Sequence, residues 1–131
     1  MKKQGILNPA LSEVIASMGH FDHLTICDAG LPVPLSVQRI DLAVAENLPG
    51  FIEVVRSISD VLEVQRIVLA EEVIEKNPAI VKALQEIFKN IAIDYVTHES
   101  FKLLTQKSRA IVRTGECSPY ANVILESGVI F

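Results

Sequence analysis

Nothing in the 131-residue chain is long and apolar enough to suggest a membrane span. A span needs roughly 20 apolar residues, and here Arg, Glu or Asp interrupts each candidate run within a few positions. The Met1-Lys2-Lys3 start leads into Gln4, Gly5 and Asn8-Pro9, without the continuous apolar core of a signal peptide. These absences lead to the expectation of a soluble, cytoplasmic protein with no membrane partner. A basic cluster is also missing. Twelve Lys and Arg are scattered among sixteen Asp and Glu, giving a net charge of −4, which argues against a nucleic-acid surface. Cysteine is scarce: Cys27 and Cys117 have neither zinc-site spacing nor the pattern of a disulfide framework. Cys27 lies in an apolar run and reads as a small buried hydrophobe, while Cys117 has no neighbouring base in sequence that would activate it. His20 and His23 straddle a helix end and His98 is remote, so no metal-ligand set is completed. There is no Gly-rich phosphate loop, no dinucleotide fingerprint and no Gly-x-Ser-x-Gly elbow. The expectation is therefore a protein with no metal and no cofactor.

What is present is apolar residue in quantity. Half of the chain is hydrophobic and the mean hydropathy is +0.36, enough for one domain over 1–131 with a real core. So high a fraction in a small chain, ending on Gly128-Val129-Ile130-Phe131, points to further burial between copies.

The periodicities alternate in type. Asn8-Pro9 is a helix start, and Leu11, Val14, Ile15 and Met18 form one face before Gly19. Leu24 to Cys27 reads as a strand, as does Val37 to Val44. Pro49 opens a helix through Phe51, Ile52, Val55 and Ile58. Val64 to Ala70 is a strand, Asn77-Pro78 a second helix start, and Ile91 to Val96 a strand. Thr97-His98-Glu99 begins a short helix, and Ala110 to Val112 and Val123 to Leu125 supply two more strands. Strands alternating with helices predict a layered α/β sheet.

Between the last two strands runs Arg113-Thr114-Gly115-Glu116-Cys117-Ser118-Pro119-Tyr120-Ala121-Asn122. Ten residues hold a guanidinium, a carboxylate, a phenol and a carboxamide, a donor and acceptor set that suits a polyhydroxylated ligand. Asp28 ends a strand and enters the loop Ala29-Gly30-Leu31-Pro32-Val33-Pro34, where α/β folds place ligand contacts; a turn-capping role is the plainer reading. His20 follows a helix C-terminus, whose dipole favours a protonated ring, though it could equally serve only the terminal carbonyls.

Four blocks then carry a resemblance: Gly19-His20-Phe21-Asp22, Asp28 to Pro34, Thr97-His98-Glu99, and Arg113 to Asn122. In order and spacing, over nearly the whole chain, they resemble the ribose and fucose mutarotase family, and its ribose branch at Gly30-Leu31 and at Ser118 to Asn122. The resemblance implies a three-layer α/β/α domain with a mixed sheet, and a cytoplasmic homodecamer of two five-membered rings. It implies cofactor-free interconversion of the pyranose and furanose forms of D-ribose. It further implies that His20 is the catalytic proton donor and that Asp28, His98, Tyr120, Ala121 and Asn122 contact the sugar, with the Tyr120 loop completing a pocket shared with a neighbour. Histidine suits the work, since its unperturbed pKa lies near neutrality. Two alternatives stand beside this: a non-catalytic sugar-binding component of ribose uptake, or a mutarotase for another monosaccharide such as L-fucose.

Overall fold

The computed structural model describes residues 1–131, and its backbone is one six-stranded sheet with helices on both faces. In chain order the strands are β1 (His23–Cys27), β2 (Gln38–Asp41), β3 (Val64–Ala70), β4 (Ala92–Val96), β5 (Ser108–Arg113) and β6 (Val123–Ser127). The helices are α1 (Pro9–Ser17), α2 (Phe51–Ser59), α3 (Val73–Lys76), α4 (Pro78–Ile87) and α5 (His98–Leu104). Across the sheet the order is β2-β5-β1-β6-β3-β4. Five strands share one direction, and β6 runs antiparallel between β1 and β3. The mixed three-layer α/β/α arrangement is the one expected. No helix is long and apolar enough to cross a membrane.

Period-two alternation sorts side chains into two cores. Leu24, Ile26, Ile67, Leu69, Ala110, Val112, Val123 and Leu125 face the larger core, where α1, α2 and α4 contribute Leu11, Val55, Ile58 and Leu84. Cys27, Val68, Ile111 and Ile124 face the smaller one, closed by Phe101 of α5. Phe101 is fully buried, and burying such a ring stabilises by roughly 1.5–3 kcal/mol, which holds α5 and its first residue, His98, against the sheet. Central strands buried on both faces are why their sequences read as continuous apolar runs.

Three local expectations change in detail. The alternation Ile40, Leu42, Val44 predicts a strand to Val44, but pairing with β5 ends at Asp41 and Val44 is exposed, because the chain turns back on itself at Ala45–Leu48. Pro49 stands just outside α2; the cap is Gly50, whose N–H donates to Glu53 Oε2 at 3.0 Å. Asn8 caps α1 by accepting from Leu11 N–H at 3.0 Å, whereas Asn77 does not cap α4: its Nδ2 donates to Ser118 Oγ and to the Pro119 carbonyl, both at 2.9 Å. The same dipeptide signal thus begins a helix twice but frees the second Asn to hold the 118–120 loop.

Candidate active site

The carboxyl ends of β1, β3, β4 and β5 converge on one pole of the sheet. There a cleft of about 310 Å³ is lined by Asp28, Gly30, Leu31, Pro32, His98, Pro119 and Tyr120. A larger groove, about 560 Å³, lies between the N-terminal segment and α2, but of its lining only Glu53 and Asp60 titrate and Glu53 is engaged as a helix cap. Chemistry rather than size selects the smaller cleft.

Asp28 is its most constrained member. Oδ1 accepts from the N–H groups of Gly30 (3.0 Å) and Leu31 (2.9 Å), so the turn-capping role is real. Oδ2 accepts from Asn122 Nδ2 at 3.1 Å, while Asn122 Oδ1 accepts from the Asp28 N–H at 2.9 Å. With two lone pairs on each oxygen, Oδ1 is filled and Oδ2 has one acceptor direction left for a ligand hydroxyl. Burial raises the pKa of Asp28, against the lowering effect of the Gly30, Asn122 and Leu31 bonds. Asn122 is enclosed, and its carboxamide acts through Asp28. Ala121, fully buried, packs beneath it in the larger core.

His98 begins α5. Glu72, the residue before α3, accepts the His98 backbone N–H on both carboxylate oxygens (3.1 and 3.0 Å), and Thr97 Oγ1 caps the helix by accepting from Ser100 N–H at 3.2 Å. The His98 ring meets the edge of Tyr120 at 5.2 Å between centroids, and its Nδ1 is shielded without a protein partner. Tyr120 holds a left-handed φ of 56°, a conformation costing a bulky residue on the order of 1–3 kcal/mol. The surrounding loop maintains it: Thr114 N–H and Oγ1 both donate to the Cys27 carbonyl, and the Ala29 N–H donates to the Glu116 carbonyl. Gly115 allows that path, since a Cβ there would lie 2.5 Å from the carbonyl oxygens of Ala45 and Leu48. Three of the four polar groups expected to serve a ligand are spent on the scaffold, the Asn122 carboxamide through its paired bonds with Asp28. Arg113 donates to Asp41 and to the Ala29 carbonyl, and Glu116 accepts from Phe51 N–H and Ser118 Oγ. Burial pushes the Cys27 thiol up to about 12, which removes it as a nucleophile near neutral pH.

His20 is at the other pole. It precedes β1 as Asp28 follows it, and five strand residues at about 3.3 Å each put roughly 16 Å between the two ends. His20 is exposed, stacked on Phe21 (centroids 3.8 Å, 18°), and its Nε2 is 2.9 Å from Gln65 Oε1. Its turn is pinned by Asp22, whose Oδ2 accepts from Gly19 N–H at 2.8 Å and Arg109 Nε at 3.1 Å. Those bonds, Gly19's first, hold the Asp22 carboxyl below the usual range. Phe21 is left-handed too, at φ 67°, so an aromatic residue in that region marks each pole. One chain therefore gathers Asp28, His98, Tyr120 and Asn122 and keeps His20 apart from them. The helix end plays no part in holding the His20 ring. Gln65, Glu72 and Asn77 were not legible as site residues, because each acts through a contact more than 25 positions away.

Fold and site together define a single-domain α/β protein with a small polar cleft at one sheet pole and an exposed histidine at the other. The chain belongs to the RbsD / FucU transport protein family, whose model matches residues 1–130. It is 52% identical over 139 aligned residues to a D-ribose pyranase of Haemophilus influenzae and 50% identical to one of Vibrio campbellii, each match covering all of both chains. Among solved structures it is similar to Bacillus subtilis RbsD complexed with D-ribose (TM-score 0.97, 44% identity, all of both chains). It is also similar to the fucose mutarotase of Streptococcus pneumoniae in complex with L-fucose (TM-score 0.82, 26% identity, 95% of each chain).

Proposed function

We infer that the chain is an isomerase that interconverts the pyranose and furanose forms of D-ribose by acid–base ring opening and reclosure. The observation that carries this reading is full-length similarity to D-ribose pyranases at about half identity, on a fold matching an RbsD complexed with D-ribose. His20 gives a proton to the pyranose ring oxygen as the bond from that oxygen to the anomeric carbon breaks. The anomeric hydroxyl passes its proton to His98, which later returns it to the carbonyl oxygen, and becomes the aldehyde. After rotation the 4-hydroxyl attacks the same carbon, its proton passes to His20, and the carbonyl oxygen is reprotonated. Every step moves protons between oxygens, and histidine is the side chain suited to giving and taking them near neutral pH.

Asp28, with one free acceptor direction, takes a sugar hydroxyl. His98 assists at the anomeric side, the Tyr120 ring lies against the sugar's apolar face, and Ala121 and Asn122 fix the loop that presents it. Because His20 lies a strand's length from that cleft, the site is completed between copies, the histidine pole of one meeting the cleft pole of the next. Such a head-to-tail contact is heterologous and closes into rings, in keeping with a decamer of two five-membered rings in the cytoplasm. Ile130 and Phe131 are almost fully exposed and follow β6 at the histidine pole, where that contact would cover them.

Proton NMR saturation transfer on D-ribose tests the reading. The protein should accelerate exchange between pyranose and furanose signals, and His20→Ala should lose on the order of 10²–10⁴-fold of that acceleration. Sugar binding without faster exchange would instead identify a binding component of uptake, and faster exchange of L-fucose than of D-ribose would reassign the sugar. A His20→Ala variant with most of its acceleration intact would refute the histidine's role.

A further inference from the structure

We propose that Gln65 is a positioning residue for His20: it accepts a hydrogen bond from Nε2–H, holds the neutral ring in that tautomer, and leaves Nδ1 to exchange protons with the sugar. The proposal rests on the reading of His20 as the acid–base group.

A carboxamide can present either end, so its direction must come from its neighbours. Gln65 lies between a ring nitrogen, which can donate or accept, and a carboxylate, which when ionised can only accept. Gln65 Nε2 is 2.8 Å from Glu126 Oε1, so the NH₂ end faces Glu126 and the carbonyl end faces His20. An acceptor 2.9 Å from Nε2 requires a proton on that nitrogen. Glu126 is buried and kept ionised by Arg66, whose guanidinium reaches both of its oxygens, and His23 Nε2 stands 3.1 Å from Oε2. Arg66 is itself held by Asp94 at 2.6 Å. The series Asp94, Arg66, Glu126, Gln65, His20 thus has one self-consistent set of donors and acceptors. Phe21 fixes the ring plane, and Nδ1 has no protein partner.

Gln65 reaches this position through a local irregularity. Val64 pairs with Ser127 and Arg66 with Glu126, so Gln65 is the extra residue of a bulge on β3. Regular alternation would send Gln65 and Arg66 to opposite faces; the bulge lets both reach Glu126, which is how such features re-aim a side chain. Gly128 leaves the room: a Cβ there would press on Gln65 Cβ at 3.2 Å.

The test uses the assembled protein labelled with ¹⁵N-histidine, with His20→Ala to assign the ring. Long-range ¹H–¹⁵N correlation above the ring's titration should show an Nε2–H tautomer for His20. Gln65→Leu should give a mixture of tautomers and a D-ribose exchange rate lower by roughly 10-fold, part of the 10²–10⁴ of acid–base catalysis, with the half-saturating D-ribose concentration within about twofold of wild type. Gln65→Glu keeps an acceptor at the same length and, sharing a proton with Glu126, should hold the tautomer and retain more activity than Gln65→Leu. An Nδ1–H ring in the wild type overturns the proposal. So does a Gln65→Leu protein with wild-type ring and rate, or equal losses in the two variants. Should His20→Ala stay active, the catalytic reading falls while the tautomer measurement still decides whether Gln65 orients the ring.

Discussion

A site divided between copies makes a prediction that a site within one chain cannot share. His20 and Asp28 lie at opposite ends of a five-residue strand, about 16 Å apart along it, whereas proton transfer needs donor and acceptor within about 2.6–3.2 Å. Take His20→Ala and Asp28→Asn chains, each slow alone, and refold them together in equal amounts. If every site draws its histidine from one copy and its cleft from the next, random assembly gives about one half times one half, or roughly a quarter of sites with both native residues. Saturation transfer on D-ribose should then report about a quarter of the wild-type acceleration, well above the mean of the two parents. Native mass spectrometry on chains of different isotopic mass would establish that mixing took place. Mixed assemblies no faster than that mean would refute the reasoning.

Two further outcomes follow from the same geometry. Glu126 is held at about 2 against an ordinary 4.5, first by the Arg66 hydrogen bond and further by Gln65 and His23, with burial opposing. A depressed carboxylate stabilises above its unfolded value and loses that contribution as pH falls, so urea midpoints should drop between about pH 5 and pH 2 and drop less in Glu126→Gln; the full effect is at most about 3 kcal/mol, and nearer half of that because the Arg66 side chain is 38% exposed. Parallel curves for the two proteins would count against the linkage. Gly115→Ala forces a Cβ against the carbonyl oxygens of Ala45 and Leu48 and should cost about 1–3 kcal/mol in urea unfolding while weakening saturation by D-ribose, since the displaced loop carries Tyr120; unchanged stability would mean that the loop yields freely.

Much of the architecture was legible because it rests on local signals. The apolar runs at β1, β3, β5 and β6 are strands buried on both faces, and Asn8-Pro9 and Thr97 supply caps at the helix starts expected. What escaped depends on distant partners. The short α3 carries no start signal, and β2 ends early because its continuation packs around Gly115. The site blocks were visible as motifs, and Asp28, His98 and Tyr120 do meet. Their polarity was not visible: no spacing in sequence shows that Asn122 serves Asp28, that Glu72 anchors His98, or that a bulge turns Gln65 toward His20.

The reversed course of β6 has a consequence for how the molecule can vary. Asn122, which braces Asp28, enters it at one pole, and Glu126, which orders the surroundings of His20, leaves it at the other. Three fully buried residues, Val123, Ile124 and Leu125, lie between them, the last two paired on both sides, so the strand acts as a fixed gauge between the two poles. Inserting or deleting one residue there would invert its side chains and alter the spacing at both ends together. This interval between the poles is set by the sheet itself rather than by the loops at either end.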